Sequence, residues 1–263
     1  MLSTDLLDLS SAYADPRSTA SRLIVTRRGA TDGTYRPIGY LDRLRDGDVD
    51  TYEFTYLAAV ANYDRFVPII GFRDVQRRYS SPRLFPSFAE RVISAKRPDR
   101  PQYLATLDLD ADADAWEILS ASGGHREGDP IELISLPRYD NVTGATTAHF
   151  LGHGVRHRGE ATSAHITGLA SGHTLSLRPE PANPADARAI QIVDGDVHLG
   201  FVPSPLLDYV HSVIDGDDHA LTVVLANPPE THAHLRLLLR LEGRCDGFVF
   251  DRDEWRSACT AEQ

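Results

Sequence analysis

The chain has 263 residues, of which 41% are hydrophobic and 25% charged, with two cysteines and a formal net charge of −11. That length favours two compact domains, and that composition suits a globular chain able to bury a core. No apolar run approaches the roughly 18–20 residues that span a bilayer, the N-terminus lacks the basic start of a secretory signal, and Cys245 and Cys259 are too few to staple a fold, so a cytoplasmic protein without membrane attachment is expected.

The acidic balance argues against indiscriminate nucleic-acid binding, since a phosphate backbone rewards a basic surface. It leaves room for a local basic patch. Lys96 is the sole lysine, so nearly all positive charge is arginine, which reflects either codon bias or a preference for bidentate contacts. Eight basic residues fall between positions 73 and 100, namely Arg73, Arg77, Arg78, Arg83, Arg91, Lys96, Arg97 and Arg100, against three acidic ones. This is the candidate electrostatic footprint.

Residues 1–20 read as a polar leader, with one helical turn around Leu6 to Leu9. A first domain of mixed α+β character is expected over residues 21–140. Leu23-Ile24-Val25 and Pro37 to Leu41 are strand-like runs. Arg43 to Leu57 reads as a hairpin turned at Asp46-Gly47-Asp48, with Tyr52, Phe54 and Tyr56 alternating on a core face. Helices are predicted from Pro86 to Ile93 and from Asp110 to Ser122, the second stopped by Gly123-Gly124. A strand over Ile131 to Leu136 follows, then a linker from Arg138 to Ala148 rich in Asn, Thr and Gly.

The segments Ile38-Gly39-Tyr40-Leu41, Tyr52 to Tyr56 and Tyr79 to Phe88 give this half a weak resemblance to the N-terminal domain of HipA-type proteins. In that family the domain packs on a kinase. No magnesium-binding or glycine-rich nucleotide motif follows here, so kinase activity is not carried over.

A second domain is expected over residues 148–245, with 246–263 as a C-terminal tail. Short strands are read at Phe150 to His157, His173 to Arg178, Ala189 to Asp194, Val197 to Val202, Leu221 to Leu225 and His234 to Leu241, with a helix from Pro203 to Val213. Several short strands with one or two helices suggest a small SH3- or OB-like β-barrel. Within it, Pro181, Asn183 and Pro184 pin a sharp connection, and Asp186 can accept backbone N–H bonds there. Asp194-Gly195-Asp196 supplies a hairpin turn, and Gly200 permits close packing.

The ordered set Leu175, Leu177, Glu180, Pro181, Asn183, Pro184, Asp186, Ala189, Ile190, Val193 and Leu199 to Pro203 resembles the signature of HIRAN domains. With Gly154 to His157 the match covers about 95 residues. The resemblance implies binding of single-stranded DNA or DNA ends. HIRAN domains of eukaryotic fork-remodelling helicases stack bases on aromatic side chains, accept a terminal hydroxyl with an aspartate and hold phosphates with arginine. Asp186 matches that aspartate and Arg156 an arginine on the opening strand. His157 stands where a stacking tyrosine is found, and Ala185 replaces a second aromatic. The candidate DNA-contacting set is Arg156, His157, Arg158, Asn183, Asp186, Arg188 and Phe201. Three of these have a plainer reading: Asp186 staples its turn, Arg156 lies on a solvated strand face, and Phe201 belongs to the core.

His149, His153 and His157 lie four apart and could share a metal-binding face, although no carboxylate stands at a characteristic spacing. His232 and His234 read as a solvated edge. The calcium-loop look of Asp108 to Asp112 fails at Ala113 and Leu119. No catalytic constellation and no cofactor are expected. The reading is a non-enzymatic DNA-binding protein that recruits DNA-processing or defence machinery. Its alternatives are a protein-interaction module whose barrel does not bind DNA, and a metal-dependent hydrolase built on the His149/His153/His157 face.

Overall fold

The computed structural model describes residues 20–29, 32–216 and 218–259; the leader and its helical turn near Leu6 lie outside them. Its architecture is α+β, with two antiparallel sheets and few, short helices. The first sheet contains β1 (Ala20–Arg28), β2 (Tyr35–Asp46), β3 (Val49–Tyr56), β4 (Tyr79–Ser81) and β5 (Ile131–Ser135), in the order β4-β3-β2-β1-β5. β2 and β3 form the expected hairpin, with Asp46 opposite Val49 across Gly47-Asp48. Strand alternation then sorts the side chains. Leu23, Val25, Leu41, Phe54 and Tyr56 share one buried cluster with Phe88 and Trp116, while Ile24, Tyr40 and Ile134 join another on the opposite side.

Three helices accompany this sheet: α1 (Pro86–Ala89), α2 (Arg100–Ala105) and α3 (Ala115–Ser122). α1 is shorter than predicted, and α2 was not foreseen. Asp114 caps α3 in a reciprocal capping box with Glu117, and Gly123 ends it in the left-handed region at φ 66°. Asp114 also accepts a hydrogen bond at 2.8 Å from the fully buried Arg43, whose guanidinium lies 5.5 Å from the Trp116 ring.

The second sheet holds β6 (Arg138–Tyr139), β7 (Ala145–Leu151), β8 (Thr174–Pro179), β9 (Ile190–Asp194), β10 (Val197–Phe201), β11 (His219–Ala226) and β12 (Leu237–Arg244). Their order is β10-β9-β8-β11-β12-β7-β6. α4 (Gly159–Thr167) and α5 (Leu207–Ile214) pack with it. α5 places Leu207, Tyr209, Val210 and Val213 in the core, at the spacing read from the sequence.

Four expectations are corrected here. The barrel is not formed among the described residues: the sheet is open, and the backbone of its β10 end meets the chain beyond β7 at a single His153–Phe201 bridge, with N···O distances of 2.8 and 2.9 Å. The linker segment is a hairpin instead: Arg138 and Tyr139 of β6 pair with Thr147 and Thr146 of β7, and β7 in turn pairs with β12 from Ala145 opposite Arg244 to Leu151 opposite Leu238. The strand expected through His157 stops at Leu151. Gly154 takes a φ of 71°, and Val155–His157 forms a 3-10 turn leading to α4.

The tail also does not trail away. Phe248, Val249, Phe250 and Trp255 are buried in the core that takes residues from both sheets. Trp255 stacks on Tyr40 with centroids 6.4 Å apart, and the Ala258 N–H donates to the Tyr56 carbonyl at 2.7 Å. Hydrophobic residues this far down the chain complete a core that the two sheets leave unfinished. No helix among the described residues is long and apolar enough to cross a membrane.

Candidate nucleic-acid interface

The connection from β8 to β9 is built by its own side chains. Asn183 donates to Glu180 Oε2 at 2.6 Å and accepts the N–H groups of Ala185 and Asp186 at 2.9 and 3.3 Å. Asp186 accepts the Arg188 N–H at 2.9 Å and pairs with its guanidinium at 3.2 Å; Arg188 also pairs with Asp208 at 3.1 Å. Burial pushes the Asp186 carboxyl up, but the N–H and guanidinium of Arg188 hold it below the usual carboxylate range. The acceptors of Asp186 are thus engaged within the loop. This loop and the start of β2 border a groove of about 440 Å³, lined among others by Tyr35, Arg36, Tyr63, Asp186, Arg188 and Asp208. Arg156, Arg158 and Phe201 do not line it.

These three meet elsewhere, where the 3-10 turn after β7 crosses the end of β10. The crossing requires Gly200: a Cβ there would stand 2.6 Å from the His153 carbonyl oxygen and break the bridge. Arg158 places its guanidinium 5.4 Å from the Phe201 ring centroid and donates to His198 Nδ1 at 2.9 Å. His198 meets the same ring edge-on, with centroids 4.7 Å apart. Burial and the neighbouring Arg158 both lower the His198 pKa, so the imidazole is neutral at neutral pH. Arg178 adds charge close to His198. Arg156 and His157 are exposed on the turn, with Arg156 Nε donating to His157 Nε2 at 2.9 Å. Phe201 itself is half-buried, between the core and surface readings.

The arginine-rich segment divides. Arg91 bonds Gly124, Ile131 and Ser87 carbonyls and pairs with Asp129 at 2.5 Å; Arg100 holds the carbonyls of Ile93 and Ala113. Both serve the fold. Arg78 pairs with Glu53 and Arg97 with Asp99. Arg73, Arg77, Arg83 and Lys96 stay exposed.

The face of three histidines does not assemble. His149 and His153 line a cavity of about 280 Å³ between the sheets, but His157 has turned away with the chain beyond Gly154. His153 instead bonds Glu132 Oε1 at 2.9 Å. Sequence reasoning missed His198, which lies against Phe201, and Arg178, whose charge acts on His198; both placements depend on how β8, β9 and β10 pair. It also missed that His125 comes to lie against His232 and His234.

No family model matches the chain, and no curated protein matches it. Among solved structures it is similar to the crystal structure of the HIRAN domain of human HLTF, with 16% identity over 39% of this chain and 76% of that one, at a TM-score of 0.28. The likeness to a HipA-type domain is not shown by these comparisons. A TM-score of that size carries neither fold nor ligand from one chain to the other.

Proposed function

We propose that the protein binds single-stranded DNA on the face formed by Arg156, Arg158, Arg178, His198 and Phe201, and that it acts as a non-enzymatic module recruiting DNA-processing or defence machinery. One observation carries this reading: an aromatic ring and an imidazole sit beside the stacked guanidinium of Arg158, with exposed Arg156 on the adjoining turn. Planar groups of this kind stack on bases without regard to sequence, and the arginines supply phosphate contacts. The local positive charge reconciles DNA binding with an acidic chain. The resemblance of Leu175 to Pro203 to the HIRAN signature supports the same ligand.

Fluorescence anisotropy with labelled single-stranded oligonucleotides, bearing free or blocked 3′ ends and read over a salt series, tests it. Binding that weakens as salt rises is expected. Absence of binding at low salt overturns the proposal. Equal affinity for free and blocked ends restricts it to strand binding without end recognition.

A further inference from the structure

Three histidines that no part of the DNA reading uses converge from two distant segments. His125 lies in the loop between α3 and β5, and His232 and His234 lie just before β12. One ring nitrogen from each falls within 4.8 Å of the others. The Nδ1 atoms of His232 and His234 are 2.6 Å apart, and the His125 and His234 rings have centroids 4.3 Å apart. The remaining nitrogen of His234, Nε2, is buried and meets no hydrogen-bond partner. Buried polar nitrogens are ordinarily satisfied, so this one requires an account.

Both segments are held firmly. The buried Asn227 side chain donates to the carbonyls of Thr106 and Leu235 at 2.8 and 2.6 Å. Buried Arg236 donates to the Asn227 carbonyl at 2.9 Å and to Ser163 of α4 at 2.6 Å. Together they clamp the ends of the loop that carries His232 and His234. On the other side, Arg91 holds the Gly124 carbonyl at 3.1 Å, directly before His125. Rings positioned by buried supports of this kind do not need to be ordered on binding.

We propose that His125, His232 and His234 form a binding site for a divalent transition-metal ion of the zinc class. Three imidazoles match the ligand preference of such ions. With metal–nitrogen bonds of about 2.0–2.1 Å, tetrahedral coordination separates ligand nitrogens by roughly 3.3 Å. The 2.6 Å between the Nδ1 atoms of His232 and His234 is shorter than that value, so an ion held by both would part these two rings slightly. Three protein ligands leave one position for water or an external ligand, the arrangement of open rather than closed zinc sites. This inference is independent of the DNA proposal and uses none of its residues.

The full chain, stripped with a chelator and dialysed, is titrated with Zn(II) against a chromophoric competitor and separately with Co(II) under visible spectroscopy. One ion per chain is expected, with the absorption of tetrahedral or five-coordinate cobalt. His232→Ala, at an exposed position, leaves the circular dichroism unchanged and weakens binding by more than the ~10–100-fold typical of losing a supporting group. His234→Ala does the same, whereas His149→Ala does not. Absence of stoichiometric binding overturns the site, as does affinity that His232→Ala leaves unaltered.

Discussion

The guanidinium carbon of Arg158 lies 5.4 Å from the centroid of the Phe201 ring, although 43 positions separate the two residues in the chain. The contact depends on the backbone bridge of Phe201 to His153, which brings the turn after β7 over the end of β10. It gives a flat cationic surface beside an aromatic one, and it generates the first prediction. Arg158→Ala should weaken single-stranded DNA binding by about 1–3 kcal/mol, the scale of one lost stacking partner. Arg156→Ala should weaken it less and reduce the slope of log K against log salt by about 0.7, as for one lost phosphate contact. Anisotropy over a salt series measures both. Unchanged affinity in Arg158→Ala would remove this face from consideration.

Asp186 is tied to its own loop through Arg188 and is expected to act in stability before binding. Asp186→Ala should lower unfolding free energy by about 1 kcal/mol in urea denaturation and leave DNA affinity within about two-fold. Its depressed pKa gives the sign of the pH effect. The contribution is present above the unfolded carboxylate value and is lost as pH falls through the lower folded one. A large affinity loss with intact stability would instead make Asp186 a DNA contact.

His153 and Glu132 join the two sheets through one hydrogen bond of 2.9 Å. Burial opposes charge on the imidazole, and the adjoining Glu132 carboxylate outweighs it, so the His153 pKa is raised. A raised histidine stabilises fully below its unfolded pKa, about 6.5, and the effect fades as pH rises through the folded value. The advantage in Tm of the parent protein over Glu132→Gln should therefore be greatest near pH 6 and shrink towards pH 9. Thermal melts across that range check it; an advantage that grows with pH contradicts the assignment.

Trp255 is 7% exposed and touches Tyr40 and Phe250. Trp255→Ala should cost about 3–5 kcal/mol, as for other large aromatic truncations in cores. A tail that merely trailed from the fold would tolerate the change, and equilibrium unfolding distinguishes the two.

Features legible in the sequence are those whose cause lies within a few residues. The Gly47-Asp48 turn, the glycine stop after α3, the amphipathic spacing of α5 and the self-bonded loop at Asn183 all act through local backbone geometry and short-range hydrogen bonds. Tertiary structure alone decided the rest. The linker residues Ala145 to Ala148 carry little hydrophobic pattern of their own and become strand because β12 supplies their backbone partners. Phe248, Phe250 and Trp255 gain a purpose only against a cavity made by other elements. The same holds at the candidate sites: Arg158 meets Phe201 and Glu132 meets His153 from different elements, and His125 alone reaches His234 across more than a hundred residues. Local chemistry sets which groups a segment can offer, but long-range pairing and burial decide which of them face one another.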